Sequence, residues 1–255
     1  MPVVTLTTDF GSRDHYAAAL KGTLLQAVSN LNLVDISHNV NHFDIVQAAF
    51  IFKNAWPTFP TGTIHLITVN DLSSTSLSYL LLKQYDQYFV CPDNGILGLI
   101  FSPPKGIIYR LPASERNIKV PKQVFANTLQ KIARGVPLDQ IGDPAGEIVE
   151  RLTFQPVLTN NIIRGNIIYV DNYHNAISNI DRDLFNKIGK NRSFEILLKG
   201  HPPITKIEEH YGRVEVGEPM ALFNPQGFLE IAVNMGKAAT LLGIRLEDMV
   251  QVEFL

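Results

Sequence analysis

The spacing of hydrophobic positions changes character along the chain. "VVTLTTD", Val3 to Asp9, is short and rich in β-branched residues, which suits a buried strand. The following "DHYAAALKGTLLQAVS" puts Tyr16, Ala17, Leu20, Leu24 and Val28 at the spacing of one helical face, with Asp14 the expected cap of its first turn. "NLVDIS" (Asn32–Ser37) reads as a second strand, and "DIVQAAFIFKNAW" (Asp44–Trp56) as a second helix stopped by Pro57. "GTIHLITVN" (Gly62–Asn70) is a third strand, apolar nearly throughout, as expected where both faces are covered. "QYFVCP" (Gln87–Pro92) gives a fourth, and "KQVFANTLQKIARG" (Lys122–Gly135) a helix that Gly135 stops. Strands alternating with helices predict an α/β fold, a mostly parallel sheet with helices on both faces.

After about residue 155 the period becomes that of strands alone. "IIRGNIIYVDNYHNAISNI", "SFEILLKG", "GRVEVGEPMALFN", "GFLEIAVN" and "DMVQVEFL" are strand-like runs separated by Gly, Pro and Asn, interrupted only by one short helix, "KAATLLGI". This predicts a small all-β C-terminal domain, a barrel or a sandwich. The expected division is an α/β domain over residues 1–155, a linker over 156–161 and a β-rich domain over 162–255.

Composition narrows the function classes. The 255 residues are 45% hydrophobic and 18% charged, a globular balance with enough length for a sizeable core. Net charge is −2 and no block is strongly basic, which argues against nucleic acid as a partner. No apolar run approaches the length of a membrane span and no signal peptide is visible, so a cytoplasmic location without membrane contact is expected. A single cysteine, Cys91, excludes an internal disulfide framework and a cysteine-rich zinc site.

Candidate chemistry begins at "TLTTDFGSRD". Asp9 closes a strand just before a glycine and a helix, where open α/β sheets bind ligands. The segment has neither the three-glycine dinucleotide pattern nor the phosphate-loop pattern, so a phosphate cradle is not indicated. Carboxylates at Asp9 and Asp14 suit ligand hydroxyls or an ammonium group; equally, Asp9 closes a turn and Asp14 caps a helix. His38 and His42 are four apart in "SHNVNH", but Asn39 and Val40 favour a loop and no third ligand is near, so no metal is expected. His65 reads as a hydrogen-bonded core histidine, Cys91 as buried and inert, and "CPDNG" as a turn. In "YVDNYHN", Asp171 and Asn175 follow a strand; an amide there offers a donor and an acceptor to the edge of a base, and a surface turn accounts for it as well. "ITVNDLSSTS" (67–76) is either a plain strand end or an active-site loop.

Six pieces, in order, settle that ambiguity in part: "TLTTDFGSRDHYAAALKG", "DISHNVNHFDIVQAAF", "FPTGTIHLITV", "PDNGIL", "YVDNYHNAISNI" and "FLEIAVNMGKAATLLG". Together they resemble the S-adenosylmethionine hydroxide adenosyltransferases, relatives of the fluorinating and chlorinating enzymes that act on the same substrate. The resemblance spans nearly the whole chain. It implies a homotrimer, with a nucleoside ligand held between one copy's N-terminal domain and a neighbour's C-terminal domain, and no cofactor beyond S-adenosylmethionine itself. It implies that Asp9 binds the ribose hydroxyls and Asp14 the methionine part, that Asp171 and Asn175 hold the methionine ammonium and the adenine edge, and that Tyr211 stacks on adenine. The family's Asn-Ser pair is here Asn224-Pro225, and proline has no hydroxyl for the methionine carboxylate.

The reaction implied is attack of water on the ribose 5′ carbon, giving adenosine and methionine. The sulfide leaves neutral, so the burden falls on positioning and activating water. The resemblance implies an Asp, an Arg and a His around that water, and these map onto Asn70, Leu77 and Val120. A neutral amide is no general base, and Leu and Val do not polarise water. Three readings follow: a diverged hydrolase in which Asp71, helped by Ser73, Ser74 or Thr75, replaces the lost acid; a protein that binds S-adenosylmethionine or adenosine with hydrolysis weak or lost; or a structural trimer without ligand.

Overall fold

The structure is a computed structural model that describes residues 1–71, 78–112, 121–151 and 155–255. It divides into two compact units, Met1–Leu152 and Thr153–Leu255. The first contains, in chain order, β1 (Val3–Thr8), α1 (Tyr16–Ala27), β2 (Asn32–Ser37), α2 (Ile45–Ala55), β3 (Ile64–Thr68), β4 (Tyr79–Gln84), β5 (Gln87–Pro92), α3 (Ile96–Ile100), β6 (Ile108–Leu111), α4 (Pro121–Ala133) and β7 (Asp143–Pro144). The sheet order is β2-β1-β3-β5-β4-β6-β7.

Half of this sheet is the parallel core that the apolar runs predicted. β1 pairs in parallel with β2 and β3, and β3 with β5. Alternation along β3 assigns its faces: Ile64 and Leu66 join the core under α1 and α4, while Ile67 and the following Val69 join the core under α2 and α3. The other half is antiparallel, β4 pairing with β5 and β6, and β6 with β7. β4 and β5 are joined by Tyr85 and Asp86 alone, both at positive φ (53° and 56°), as the right-handed twist of a two-residue hairpin requires. The Tyr85 ring stacks on Trp56, 5.5 Å between centroids, which packs the turn onto the end of α2.

Helix ends follow local chemistry with one correction. Asp44 caps α2 by accepting from the Gln47 N–H at 2.8 Å. Asp14 does not cap α1: the cap residue is His15, which makes no side-chain bond there, and Asp14 lies exposed before it. α4 ends at Ala133, and the chain turns at Gly135 (φ 72°), whose N–H donates to Ile132 O at 2.9 Å while the Val136 N–H donates to Lys131 O at 3.1 Å. His65 is fully buried; Thr5 Oγ1 lies 2.7 Å from its Nδ1 and Gln87 Oε1 2.6 Å from its Nε2.

The second unit contains β8 (Val157–Leu158), β9 (Ile162–Val170), β10 (Ala176–Asp181), α5 (Arg182–Gly189), β11 (Phe194–Leu197), β12 (Ile207–Glu208), β13 (Pro219–Phe223), β14 (Phe228–Val233), α6 (Ala238–Leu241) and β15 (Met249–Phe254). β8 falls inside the segment read as a linker and pairs with β9. One sheet, β11-β15-β9-β10-β14-β13-β12, curls around a main apolar core, and Met220, Leu222 and Ala232 form a smaller buried cluster. Its two outer strands approach each other, because Ile204, just before β12, bridges to Ile196 of β11. Gly165 of β9 permits a close strand approach: a Cβ there would overlap the Asn179 side chain and come within 2.6 Å of Ile180 Cγ1. The unit has a second helix that the strand periodicity hid. α5 is capped by Asp181, which accepts from the Leu184 N–H at 2.7 Å, and seats Phe185 edge-on against Phe194, Phe223 and Phe254. No described helix is long and apolar enough to cross a membrane.

Candidate functional site

Parallel packing of β1 beside β3 brings two of the sequence candidates together. Asp9 follows β1 and Asn70 follows β3, so both lie at the carboxyl ends of adjacent strands. Asp9 is half-buried, and its Oδ2 accepts the Phe43 N–H at 3.0 Å and the Asn70 N–H at 3.3 Å. Phe43 and Asn70 both adopt positive φ (67° and 53°), which lets their N–H groups converge on one oxygen. Gly11, at φ 70°, donates to His38 O at 2.7 Å and ties the loop after β1 to the loop after β2. His38 is not on a helix: its Nδ1 is 2.8 Å from Thr8 Oγ1 and its Nε2 is 3.1 Å from Asp35 Oδ1. The helical i, i+4 geometry that would set His38 beside His42 is therefore not formed.

Asp71 turns toward the α1 and α4 face. Its Oδ2 accepts hydrogen bonds from Thr68 Oγ1 and, at 2.9 Å, from the Tyr79 hydroxyl. Tyr79 is buried edge-on against Phe125 of α4, and burial, together with the Asp71 charge, pushes its hydroxyl far above the ordinary tyrosine range. Leu77, Val120, Ser73, Ser74 and Thr75 lie outside the described residues.

"CPDNG" is more than a turn. Asn94 is buried and donates to the carbonyls of Val69 and Asn70 at 2.9 and 3.2 Å, bracing the strand end that carries Asn70. Asp93, also buried, holds Arg110 Nη1 at 2.7 Å and accepts the Val149 N–H at 2.8 Å. The Arg110 guanidinium also bonds Ser78 Oγ and Glu147 O, so this cation is fully engaged beside a cleft of about 290 Å³ lined by Ser78, Tyr79, Val124 and Asp143. Gly95, at φ 98°, starts α3 where any Cβ would overlap Arg151. The sequence signal for this network was weak, because Pro, Asp, Asn and Gly all suit a bland turn.

The C-terminal unit gathers the other candidates on its own strands. Asp171 follows β9, and its Oδ1 accepts the N–H groups of Tyr173 and Asn175 at 2.9 and 2.8 Å. Its Oδ2 takes the Asn175 amide at 3.3 Å. Asn224 ends β13 and organises the hairpin to β14: its Oδ1 accepts from Gln226 and Phe228, and Gly227 donates to its carbonyl across Pro225. Tyr211, in a single helical turn, is 44% exposed yet donates its hydroxyl to Glu230 Oε1 at 2.7 Å. Glu230, on β14, was not singled out from the sequence. It is 3% exposed. Burial raises its carboxyl above the ordinary range, the Tyr211 bond opposes this, the nearby Asp171 charge adds to it, and a hydrogen bond with Asn224 opposes it again. A carboxylate in the middle of "FLEIAV" was the available clue.

A parallel-rich α/β unit with acidic strand ends, followed by a curled β unit carrying a second polar cluster, defines the class. Residues 4–142 match the SAM hydroxide adenosyltransferase N-terminal domain and residues 165–251 the corresponding C-terminal domain, so the chain belongs to the SAM hydroxide adenosyltransferase family. It is 25% identical to the (R)-S-adenosyl-L-methionine hydrolase of Methanocaldococcus jannaschii, covering 99% of this chain and 96% of that protein. It is 23% identical to a fluorinase of Actinoplanes sp., covering 93% of each chain. A crystal structure of an uncharacterized conserved protein from Thermotoga maritima superposes with a TM-score of 0.86 at 27% identity, over 98% of this chain and 99% of that one.

Proposed function

We propose that the protein binds S-adenosylmethionine or adenosine and that its hydrolysis of S-adenosylmethionine to adenosine and methionine is weak or lost. In this reading Asp9 takes the ribose hydroxyls, Asp14 the methionine part, Asp171 and Asn175 the ammonium and the base edge, Tyr211 the face of adenine, and Asn224 supports that half. The ligand lies between copies in a homotrimer, as the resemblance implies, and needs no further cofactor. The observation that carries the reading is the state of the β3 end. Asn70 stands where the resemblance calls for an acid, and the neighbouring Asp71 is held by the hydroxyls of Thr68 and Tyr79. Turning Asp71 toward a water breaks both bonds to its carboxylate, at a net cost of about 1.5–3 kcal/mol each.

Incubation of the purified protein with S-adenosylmethionine, followed by chromatography for adenosine, tests the reading. Little or no release is expected, together with heat on titration of either ligand. Brisk release that Asp71→Asn abolishes would establish the diverged hydrolase instead. No heat at millimolar ligand would leave a structural trimer.

A further inference from the structure

The C-terminal cluster contains two carboxylates and, among the described residues, no cation paired with either. Among the described residues, the bonds to Asp171 come from two backbone N–H groups and one amide, and those to Glu230 from a hydroxyl and an amide. No described lysine or arginine forms an ion pair with either. The strand register brings the two acids together: Asp171 and its partner Asn175 flank the β9–β10 turn, and Ile177 of β10 pairs with Glu230 of β14, so the Asp171 charge disfavours ionisation of Glu230. Such an arrangement stores unfavourable electrostatic energy that a bound positive charge relieves.

We infer that Glu230 is a specificity-setting residue of the nucleoside site, adding to Asp171 a second negative charge that favours a cationic nucleoside over a neutral one. Two placements support this. Glu230 is buried and its Oε1 is taken up by the Tyr211 hydroxyl at 2.7 Å, so it acts through its field and through the ring it holds. Its shielding from water keeps that field from being screened as a surface charge would be. S-adenosylmethionine carries a sulfonium and an ammonium; adenosine carries no charge. The inference rests on the nucleoside-binding reading above and adds a basis for choosing between its two ligands.

The test is calorimetric titration of the full-length protein with S-adenosylmethionine and with adenosine, in wild type, Glu230→Gln and Tyr211→Phe. Glutamine keeps an oxygen for the Tyr211 hydroxyl and removes the charge. Affinity of Glu230→Gln for S-adenosylmethionine is expected to fall about tenfold, and that for adenosine to stay within about twofold. Tyr211→Phe breaks the same contact but keeps both charges, so the ratio of the two affinities should match wild type. Equal losses for both ligands in Glu230→Gln overturn the inference and leave Glu230 as a prop for Tyr211; unchanged affinities overturn it as well. A ratio that collapses in Tyr211→Phe overturns it even if Glu230→Gln does not fold. Wild type that binds neither ligand overturns the underlying reading and the inference with it.

Discussion

At the scale of single residues, the site depends on atoms with several partners each. Asp9 Oδ2 receives two backbone N–H groups from two different loops, which ties the segment before α2 to the end of β3. Asp9→Ala is expected to lower nucleoside affinity by about 1.5–3 kcal/mol, the worth of a charge-assisted contact, read by titration calorimetry. His65 illustrates the opposite case, a titratable residue with a packing role. Burial lowers its pKa from 6.5 to about 4, against the hydrogen bond to Gln87. Between those values the unfolded chain binds the extra proton and the folded chain does not. The contribution of the neutral ring is therefore complete above pH 6.5 and shrinks as pH falls toward 4, by up to about 3 kcal/mol at about 1.4 kcal/mol per unit. Ring-carbon NMR shifts should show the His65 imidazole neutral down to about pH 4, and urea midpoints should drop across the same interval.

Elements show where sequence was legible. Apolar runs at Ile64–Thr68 and the helical spacing at Tyr16–Ala27 were readable because long buried stretches leave a strong period. The β4–β5 hairpin was not, because its turn is Tyr85-Asp86, without the glycine or asparagine that usually marks two positive-φ positions; Trp56, distant in sequence, supplies the support. α5 escaped for a different reason: eight residues give too few turns to establish a period against the strands on either side. Asp9 and Asp171 stand out in the sequence as acids at strand ends, whereas the residues that fix Asn70 and Asp71 do not, since Asn94, Thr68 and Tyr79 act through contacts no local pattern encodes. The close approach at Gly165 of β9 offers a direct check on the C-terminal sheet. Gly165→Ala forces a methyl group into Asn179 and Ile180 and should destabilise the unit by about 1–3 kcal/mol in urea unfolding.

At the scale of the whole molecule, each unit has its own buried core: two layers flank the sheet of the first, and a closed set of Ile, Val and Phe fills the second. A fragment of residues 155–255 should accordingly fold alone, with β-rich circular dichroism and one cooperative urea transition; a gradual, structureless melt would contradict it. The Ile196–Ile204 bridge in that unit has a further consequence. By latching β11 against the approach to β12, it leaves little unsatisfied strand margin for a foreign chain to zip onto. Concentrated stocks of the fragment should therefore stay free of thioflavin-positive fibrils, and disabling the latch with Ile204→Pro should be the quickest way to provoke them.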